Sequence, residues 1–498
     1  MNVNPITRLD YPDPDVIRVE DTYYMVSTTM HFMPGCEILQ SFDLVHWEHV
    51  TYVYETLDHT DAQQLKSGQN IYGQGMWAAS LRYHEGRFYI CFVANDTRKT
   101  YLYTSEKIDG PWKKQLIEGF YHDASLLFDE DGRNYIVYGN DEIWITELNE
   151  DLTAPKKDGL HRLLVSDHKN PELGYEGSHI QKINGYYYIF LVHSLRDRWM
   201  RTEACFYSDS LEGEFTGGDV LCDDRGYCGQ GVAQGGIVDT PDGKWYAMLF
   251  QDSGAVGRIP ILLPVTWKDH FPVFGQNGHV PEEIEVHSTR PGYIYQPLVG
   301  SDDFCNGLLP RWQFNHDPDP RYYHLDALQG TYTITTREVC TELTQAVNTL
   351  TQRMSYPSCA AEVTVDASAL KEGDVAGLCA LQSCYAAVGI TKHHGKYEVL
   401  MLDKKEDGIL DMTEGTVVES HQMDFRLEAD FCNMKDEARC YYRVNKGDWL
   451  PIGTVHKLYF KLDHFTGCRF GLFCYAAEKT GGSACFRDFK YYDVDEIS

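Results

Sequence analysis

Glu176-Gly-Ser-His-Ile-Gln-Lys-Ile-Asn-Gly-Tyr-Tyr-Tyr-Ile189 is the clearest copy of a segment that recurs along the first half of the chain. In each copy a short apolar stretch is followed by a turn rich in Gly, Asp, Glu or Asn and then by an aromatic run. This is the pattern of a β-hairpin. The other four copies begin at Asp13, Met76, Asp123 and Gln234.

The spacing of the copies predicts their arrangement. A later part of several copies also recurs, as in Ser41-Phe-Asp-Leu-Val-His-Trp47 and Ser105-Glu-Lys-Ile-Asp-Gly-Pro-Trp112, so each unit is about four strands long. The copies start roughly 45 to 65 residues apart, close to the ~40–50 residues of known blade repeats. The sequence therefore predicts an all-β protein that begins with a five-bladed β-propeller. A six-bladed ring with one degenerate blade is the alternative.

The residue at the head of each copy has a predictable position. The first strand of every propeller blade lines the central channel, so these residues reach the same channel mouth. The head residues are Asp13, Trp77, Asp123, Glu176 and Gln234. Three carboxylates and a tryptophan are therefore predicted to converge on one pocket.

A second domain follows the repeats. The pattern stops after Phe274, and a stretch rich in Gly and Pro leads into strand-like runs such as Tyr332-Thr-Ile-Thr335 and Ala361-Glu-Val-Thr-Val365. Long helical periodicity is absent, which favours an antiparallel β-sandwich. We place the propeller at residues 1–297 and the sandwich at residues 298–498.

Composition limits the partners and the compartment. The chain has 44 Lys plus Arg and 74 Asp plus Glu, a net charge of −30 that repels phosphate backbones and anionic lipids. Neither nucleic acid nor a membrane is expected as a partner, and a neutral substrate is favoured. The 15 cysteines show no CxxC pair, and neither a leader segment nor a long apolar run is present, so we expect free thiols and a cytoplasmic protein.

Convergent carboxylates are typical of glycoside hydrolysis. One protonated acid donates to the leaving oxygen, one ionised carboxylate acts as nucleophile or base, and a third charge nearby raises the pKa of the donor. Each acid alone also fits a turn or a solvated loop, but together they share one repeat position. Metal binding is the other chemistry open to them, although no HExxH, CxxC or EF-hand pattern is present. The neighbouring His31, His122 and His179 are interpreted as structural or pocket-lining residues.

Four segments carry a family resemblance, and they occur in phase with the repeat: Asn4-Pro-Ile, Pro12-Asp-Pro-Asp-Val-Ile-Arg-Val, His122-Asp-Ala-Ser-Leu and Glu176-Gly-Ser-His. They resemble the signature blocks of glycoside hydrolase family 43, over residues 4–275. Members are five-bladed, inverting enzymes that act mainly as β-xylosidases and α-L-arabinofuranosidases, with some arabinanases and xylanases. The resemblance implies that Asp13 is the general base, Asp123 the acid that tunes the pKa, and Glu176 the general acid.

The resemblance also implies a set of substrate contacts. Arg258 is expected to bind sugar hydroxyls, Trp77 and Phe32 to form pocket walls, and Gln234 to shape what enters. Many relatives carry His at the head of the fifth blade, near a channel ion or water cluster, where this chain has Gln234-Gly-Gly. No cofactor is expected to be required. A structural Ca²⁺ in the channel or in the sandwich is left open.

The second domain resembles the concanavalin-like sandwich, a lectin-like jelly roll, that follows the propeller in xylosidase-type members. Trp312-Gln-Phe-Asn-His-Asp-Pro318 and Phe486-Arg-Asp-Phe489 carry this resemblance. It implies an inverting exo-glycosidase that releases terminal β-D-xylose, α-L-arabinofuranose or both from xylan, arabinoxylan or arabinan fragments. An endo-acting arabinanase or xylanase, and a sugar-binding propeller without catalysis, are the alternatives. A homo-oligomer is left open.

Overall fold

The computed structural model describes residues 2–493 and is built from β-strands. These residues contain no α-helix, and their helical turns are four short 3-10 segments: Lys66–Gly68, Gly254–Val256, Leu343–Gln345 and Cys432–Met434. None of the helices in this part of the chain has the length and apolar character needed to cross a membrane. The predicted all-β class is confirmed.

The first half forms five four-stranded antiparallel sheets, each made of consecutive strands. Blade 1 consists of Asp15–Val19, Thr22–Ser27, Gly35–Ser41 and Glu48–Tyr54. Blade 2 consists of Met76–His84, Arg87–Ala94, Lys99–Ser105 and Lys113–Ile117, and blade 3 of Ser125–Phe128, Asn134–Asn140, Glu142–Leu148 and His161–Ser166. Blade 4 consists of Glu176–Ile183, Tyr186–Ser194, Arg201–Ser208 and Thr216–Leu221, and blade 5 of Val232–Asp239, Trp245–Asp252, Arg258–Lys268 and Phe271–Phe274.

The blades close into a ring without exchanging strands. Blade 5 meets blade 1 through the guanidinium of Arg18, whose Nε donates to Asp239 Oδ1 at 3.2 Å. The short strands Asn2–Val3 and Glu283–Ile284 pair with each other, and Asn4 donates to the carbonyl of Leu262 at 2.7 Å, which fixes the start of the chain against blade 5. Five blades are present within residues 2–493, as the repeat predicted.

The second half is a sandwich of two antiparallel sheets over one apolar core. The seven-stranded sheet has the order Tyr323–Asp326, Thr331–Thr335, Ser483–Asp493, Ser358–Asp366, Gln422–Asp430, Glu437–Arg443 and Leu450–Lys457. The nine-stranded sheet has the order Leu410–Met412, Lys396–Lys404, Ala386–His393, Asp374–Leu381, Arg469–Ala476, Leu350–Arg353, Gln313–Asn315 and Phe32–Met33, with Thr416–Val418 beside Lys396–Lys404. Apolar side chains of both sheets interdigitate, as in other β-sandwiches.

The two domains share a sheet. The last strand of the nine-stranded sheet, Phe32–Met33, lies in the connection between the second and third strands of blade 1, and it pairs with Gln313–Asn315 of the sandwich. A buried ion pair lies beside this strand, with Arg353 Nη1 2.8 Å from Glu37 Oε2. Main-chain pairing together with a buried charge pair fixes the sandwich against the mouth of the propeller. This contact brings a loop of the sandwich to the predicted pocket.

Candidate active site

The residues that head the blades have an unusual backbone. Asp13, Asp123 and Gln234 all adopt left-handed conformations, with φ of 51°, 47° and 65°. Gly177, which follows the head residue Glu176, has φ of 67°. Non-glycine residues pay a conformational cost of about 1–3 kcal/mol in this region, and such residues cluster at functional sites. The same departure from strand geometry therefore recurs where the inner strands begin.

Asp13 is held by two buried donors. Arg258 Nη1 donates to Oδ1 of Asp13 at 2.9 Å, and Thr28 Oγ1 donates to Oδ2 at 2.5 Å. Arg258 is fixed in turn, because its backbone N–H donates to Asp10 Oδ1 at 2.7 Å. The orientation of the Asp13 carboxylate is thus set by blades 1 and 5 together.

Asp123 and Glu176 meet at His122. The Nε2 atom of His122 lies 3.4 Å from Glu176 Oε2 and 3.6 Å from Asp123 Oδ2. Asn140 Nδ2 also donates to Glu176 Oε2, at 2.7 Å, and the backbone N–H of Gly177 donates to Asp123 Oδ2 at 3.1 Å. One atom from each of His122, Asp123 and Glu176 lies within 4.8 Å of the other two.

The pKa values of this cluster are shifted in opposite directions. Burial, reinforced by the negative charges of Glu176 and Asp13, raises the pKa of Asp123 to about 7 despite His122. Burial would also raise the pKa of Glu176, but the hydrogen bond and charge of His122 lower it. Burial opposes protonation of His122, yet the two carboxylates raise its pKa to about 9. At neutral pH the cluster therefore holds its protons on His122 and, in part, on Asp123.

Aromatic side chains from both domains line the site. The Trp77 ring lies 6.1 Å from the His122 ring and 5.3 Å from the ring of Phe465, centroid to centroid. Phe465 belongs to the sandwich, and the guanidinium carbon of Arg258 lies 4.6 Å from its ring centroid. Sequence reasoning missed Phe465, because a loop residue of a distant domain carries no repeat or motif signal.

Several buried donors at the site have no acceptor. Within residues 2–493, Arg258 Nε and Nη2, Arg201 Nη1 and Trp77 Nε1 are buried without a hydrogen-bond partner. An unsatisfied buried donor costs about 1–3 kcal/mol. A ligand with several hydroxyl groups would remove this cost. The site therefore has the chemistry of a carbohydrate pocket with acids at its base.

Comparison with known families agrees with this chemistry. Residues 3–272 match the family profile described as "Glycosyl hydrolases family 43". The chain belongs to glycosyl hydrolase family 43. Residues 301–492 match the profile of the "Beta xylosidase C-terminal Concanavalin A-like domain". The predicted family, the propeller and concanavalin-like sandwich, and the glycoside hydrolase class are confirmed.

Relatives of this family 43 enzyme align with it over nearly its whole length. It is 26% identical over 555 aligned residues to a β-xylosidase of Formosa agariphila, covering 99% of this chain and 89% of the relative. It is 24% identical to a xylosidase/arabinosidase of Butyrivibrio fibrisolvens, over 99% of both chains. A solved structure described as a bifunctional GH43-CE protein of Bacteroides eggerthii is 42% identical with a TM-score of 0.93. That match covers 100% of this chain but only 64% of the other protein.

Two predicted substrate contacts of the family 43 enzyme are deeply buried. The Phe32 ring has no exposed surface and is covered by Arg469, whose guanidinium carbon lies 3.5 Å from its centroid. As part of the strand shared with the sandwich, Phe32 lies in the domain interface. Gln234 is 3% exposed, as is Arg258; its backbone N–H donates to Glu203 Oε2 at 2.7 Å, and its side chain packs over Gly177. The roles of Phe32 as a pocket wall and of Gln234 in shaping what enters stay predictions.

The propeller channel contains the guanidinium of Arg82, whose Nη1 donates to Asp15 Oδ2 at 2.8 Å. The other nitrogens donate to Ser125 Oγ at 2.6 Å and to the carbonyls of Leu126 at 2.9 Å and Ile180 at 3.3 Å. The second oxygen of Asp15, Oδ1, lies 3.7 Å from Nε2 of His179 and has no hydrogen-bond partner within residues 2–493. A fixed cation therefore already neutralises negative charge in the channel.

No metal site emerges elsewhere in the part of the chain that the structure describes. The group formed by His122, Asp123 and Glu176 is the only one in which three His, Cys, Asp or Glu ligand atoms lie within 4.8 Å of one another. The raised pKa of His122 makes its ring a proton donor to the two carboxylates at neutral pH. The sandwich offers no comparable group within residues 2–493.

Proposed function

We propose that this glycoside hydrolase is an inverting exo-enzyme that releases terminal β-D-xylose, α-L-arabinofuranose or both from xylan, arabinoxylan and arabinan fragments. One observation carries the proposal. The Asp13 carboxylate, at the start of blade 1, is not part of the group in which His122, Asp123 and Glu176 place ligand atoms within 4.8 Å of one another. In inverting enzymes the acid and the base are about 6.5–9.5 Å apart, which admits a water molecule between the sugar and the base.

Each residue then has a task in the displacement. Asp13, oriented by Arg258 and Thr28, takes a proton from the attacking water as the water bonds to the anomeric carbon. Glu176 gives its proton to the glycosidic oxygen as the bond to the leaving sugar breaks. Glu176 is the more accessible of the clustered acids, with its side chain 16% exposed against 6% for Asp123.

The protonation of the free enzyme adds a step to this scheme. The lowered pKa of Glu176 and the raised pKa values of Asp123 and His122 keep the shared proton off Glu176 before substrate binds. A sugar that covers Glu176 removes it from water, which favours its neutral form. The proton then moves to Glu176 from its neighbours in the cluster. Asp123 and His122 thus act as the proton reserve of the acid.

Exo-action is supported by the position of Phe465. Its ring approaches both Trp77 and Arg258, so the sandwich narrows one side of the mouth. Relatives named β-xylosidase and xylosidase/arabinosidase carry the same pair of domains, which supports the sugars proposed. An endo-acting enzyme would need a groove open on both sides of the cleaved bond.

The test uses two chromogenic substrates and one product analysis. Nitrophenyl β-D-xyloside and nitrophenyl α-L-arabinofuranoside are each incubated with the full chain, and release of sugar from at least one is expected. Proton NMR of xylobiose hydrolysis should show α-xylose as the first anomer. Retention of the β configuration would overturn the role of Asp13 as a base. Cleavage of long chains without release of monosaccharide would indicate the endo alternative.

We also propose that the protein works in the cytoplasm, a reducing compartment. All 15 cysteines are unpaired, and six of the buried ones lie in the sandwich. A protein that folds with this many free thiols is typical of the cytoplasm, where thiols stay reduced. Cell fractionation followed by activity measurement would test this location.

A further inference from the structure

Trp199 is an exposed ring on a well-anchored loop. It is 45% exposed and is the only exposed tryptophan in the described part of the chain. The loop joins the second and third strands of blade 4. Arg196 fixes the loop by donating to the carbonyl oxygen of Asp167 at 2.7 Å, and the N–H of Met200 donates to Ser194 Oγ at 2.7 Å. The ring is thus exposed without belonging to a mobile segment.

Arg201 connects this ring to the catalytic cluster. Its guanidinium carbon lies 5.3 Å from the centroid of Trp199, and its Nε donates to Asp252 Oδ2 at 2.8 Å. Its side chain is only 8% exposed, yet Nη1 has no hydrogen-bond partner within residues 2–493. Arg201 pairs with Ser194 on the second strand of blade 4, and two residues earlier that strand pairs with Glu176 through Val192. The loop that carries Trp199 therefore lies at the channel mouth where Glu176 lies.

Two arginines of the site lie in different blades. The guanidinium carbons of Arg201 and Arg258 both lie 5.2 Å from the centroid of the buried Phe250 ring. Arg258 bonds to Asp13, the proposed base, whereas Arg201 begins the third strand of blade 4, the blade whose first strand begins with Glu176, the proposed acid. Trp199 lies beside Arg201. The exposed ring therefore belongs to the blade of the proton donor.

We propose that Trp199 and Arg201 form the subsite for the leaving sugar, and that this sugar is a β-linked xylopyranose unit of a xylan chain. The inference rests on the proposed function, because a proton donor must stand beside the leaving oxygen and so beside the leaving sugar. A xylopyranose with equatorial hydroxyls has flat C–H faces that stack on an indole ring. Arg201 Nη1 supplies the unpaired donor for one of its hydroxyls.

The test compares substrates with and without a second sugar. Trp199→Ala, Trp199→Phe and wild type are assayed on β-D-xylosyl fluoride, on xylobiose and xylotriose, and on arabinotriose. Tyr83→Ala is the matched control. Tyr83 is also 45% exposed, but it lies near the far end of the first strand of blade 2, beside the opposite channel mouth.

Trp199→Ala should raise KM for xylotriose by about tenfold and leave kcat/KM on β-D-xylosyl fluoride, whose leaving group is a single atom, within about twofold of wild type. Trp199→Phe should recover most of the loss, and Tyr83→Ala should change neither substrate. An unchanged KM for xylotriose in Trp199→Ala would overturn the subsite, and a larger effect on arabinotriose would overturn its assignment to xylopyranose. Wild type that hydrolyses neither xylosides nor arabinofuranosides would instead refute the proposed function.

Discussion

The Nε2 atom of His122 lies 3.4 Å from Oε2 of Glu176. This contact, together with the 3.6 Å approach to Asp123, turns three side chains into one titrating unit, whose protons are shared rather than assigned to single residues. A positive imidazolium stabilises both carboxylates in their charged forms. It therefore sets the pH range in which the proposed acid keeps its proton.

Replacing His122 should shift the alkaline limb of the pH profile. His122→Gln removes a positive charge that lowers the pKa values of Asp123 and Glu176, so both acids should remain protonated to higher pH. We expect the descending limb of kcat/KM to move upward by roughly one pH unit. The profile is measured on nitrophenyl xyloside from pH 4 to 10. A profile of unchanged shape with uniformly lower activity would mean that His122 has only a structural role.

Glu176→Gln should impair turnover according to the leaving group. Xylobiose needs a proton on its leaving oxygen, so kcat should fall by about 10³-fold. A dinitrophenyl leaving group departs without protonation, so its hydrolysis should fall far less. Single-turnover assays on both substrates check this. Asn140→Ala is the matched control, because it removes the 2.7 Å hydrogen bond to Glu176 but keeps the carboxyl group. We expect it to lower kcat less than Glu176→Gln does, and by a similar factor on both substrates. Equal losses on the two substrates in Glu176→Gln would place the acid elsewhere.

Asp13→Asn should lower turnover by a similar factor on every substrate. Water must be activated whatever the leaving group, so loss of the base is expected to cost about 10²–10⁴-fold with both xylobiose and the dinitrophenyl glycoside. The asparagine can still accept from Thr28, but the buried Arg258 guanidinium loses its counter-ion, so a lower thermal midpoint is expected and activity is compared at a temperature below it. Activity on the dinitrophenyl substrate close to wild type would show that Asp13 is not the base.

The sequence repeat and the domain interface differ in how far they can be predicted. A repeat period determines which residue starts each inner strand, and Asp123 and Glu176 indeed lie together at one mouth of the channel. The burial of Phe32 and the arrival of Phe465 depend instead on how the sandwich docks. That docking uses the pairing of Phe32 with Asn315, residues far apart in the chain with no shared periodicity. Arg82 likewise reaches across the channel to residues of other blades, and the sequence pattern of a single blade does not predict such contacts.

The buried ion pair of the interface should be costly to break. Burial disfavours the charged form of Glu37, but Arg353 and His49 lower its pKa to about 2, so both partners are charged at neutral pH. Glu37→Gln leaves the Arg353 guanidinium buried without its counter-ion, at an expected cost of about 3–5 kcal/mol. Chemical denaturation of both domains measures this. Glu85→Gln, at an exposed position, is the control. A change under about 1 kcal/mol would mean that water reaches Arg353.

Acid should weaken the interface through three buried histidines. The His31 ring lies 4.8 Å from His316 and 5.0 Å from His464, centroid to centroid, and Tyr72 packs beside them. Burial lowers the pKa values of all three, that of His464 to about 3 with a further contribution from Arg469. Nε2 of His316 accepts the N–H of Ile71 at 2.9 Å, a bond that needs the neutral ring.

The sign of the pH dependence follows from these lowered pKa values. A histidine that is harder to protonate in the folded state than in the unfolded state leaves the stability unchanged above its unfolded pKa of about 6.5. As the pH falls below that value, the unfolded state takes up the proton and the free energy of unfolding decreases. Below pH 6.5, each histidine should lower the free energy of unfolding by up to about 1.4 kcal/mol per pH unit. For His464 this loss should continue down to a pH of about 3. His464→Phe keeps a ring in place but cannot be protonated, so its thermal midpoint should fall less steeply than wild type between pH 6.5 and 4.5. Parallel curves for the two proteins would contradict the role of His464, while His287→Phe, an exposed histidine, should reproduce the wild-type slope because its side chain is solvated in both states.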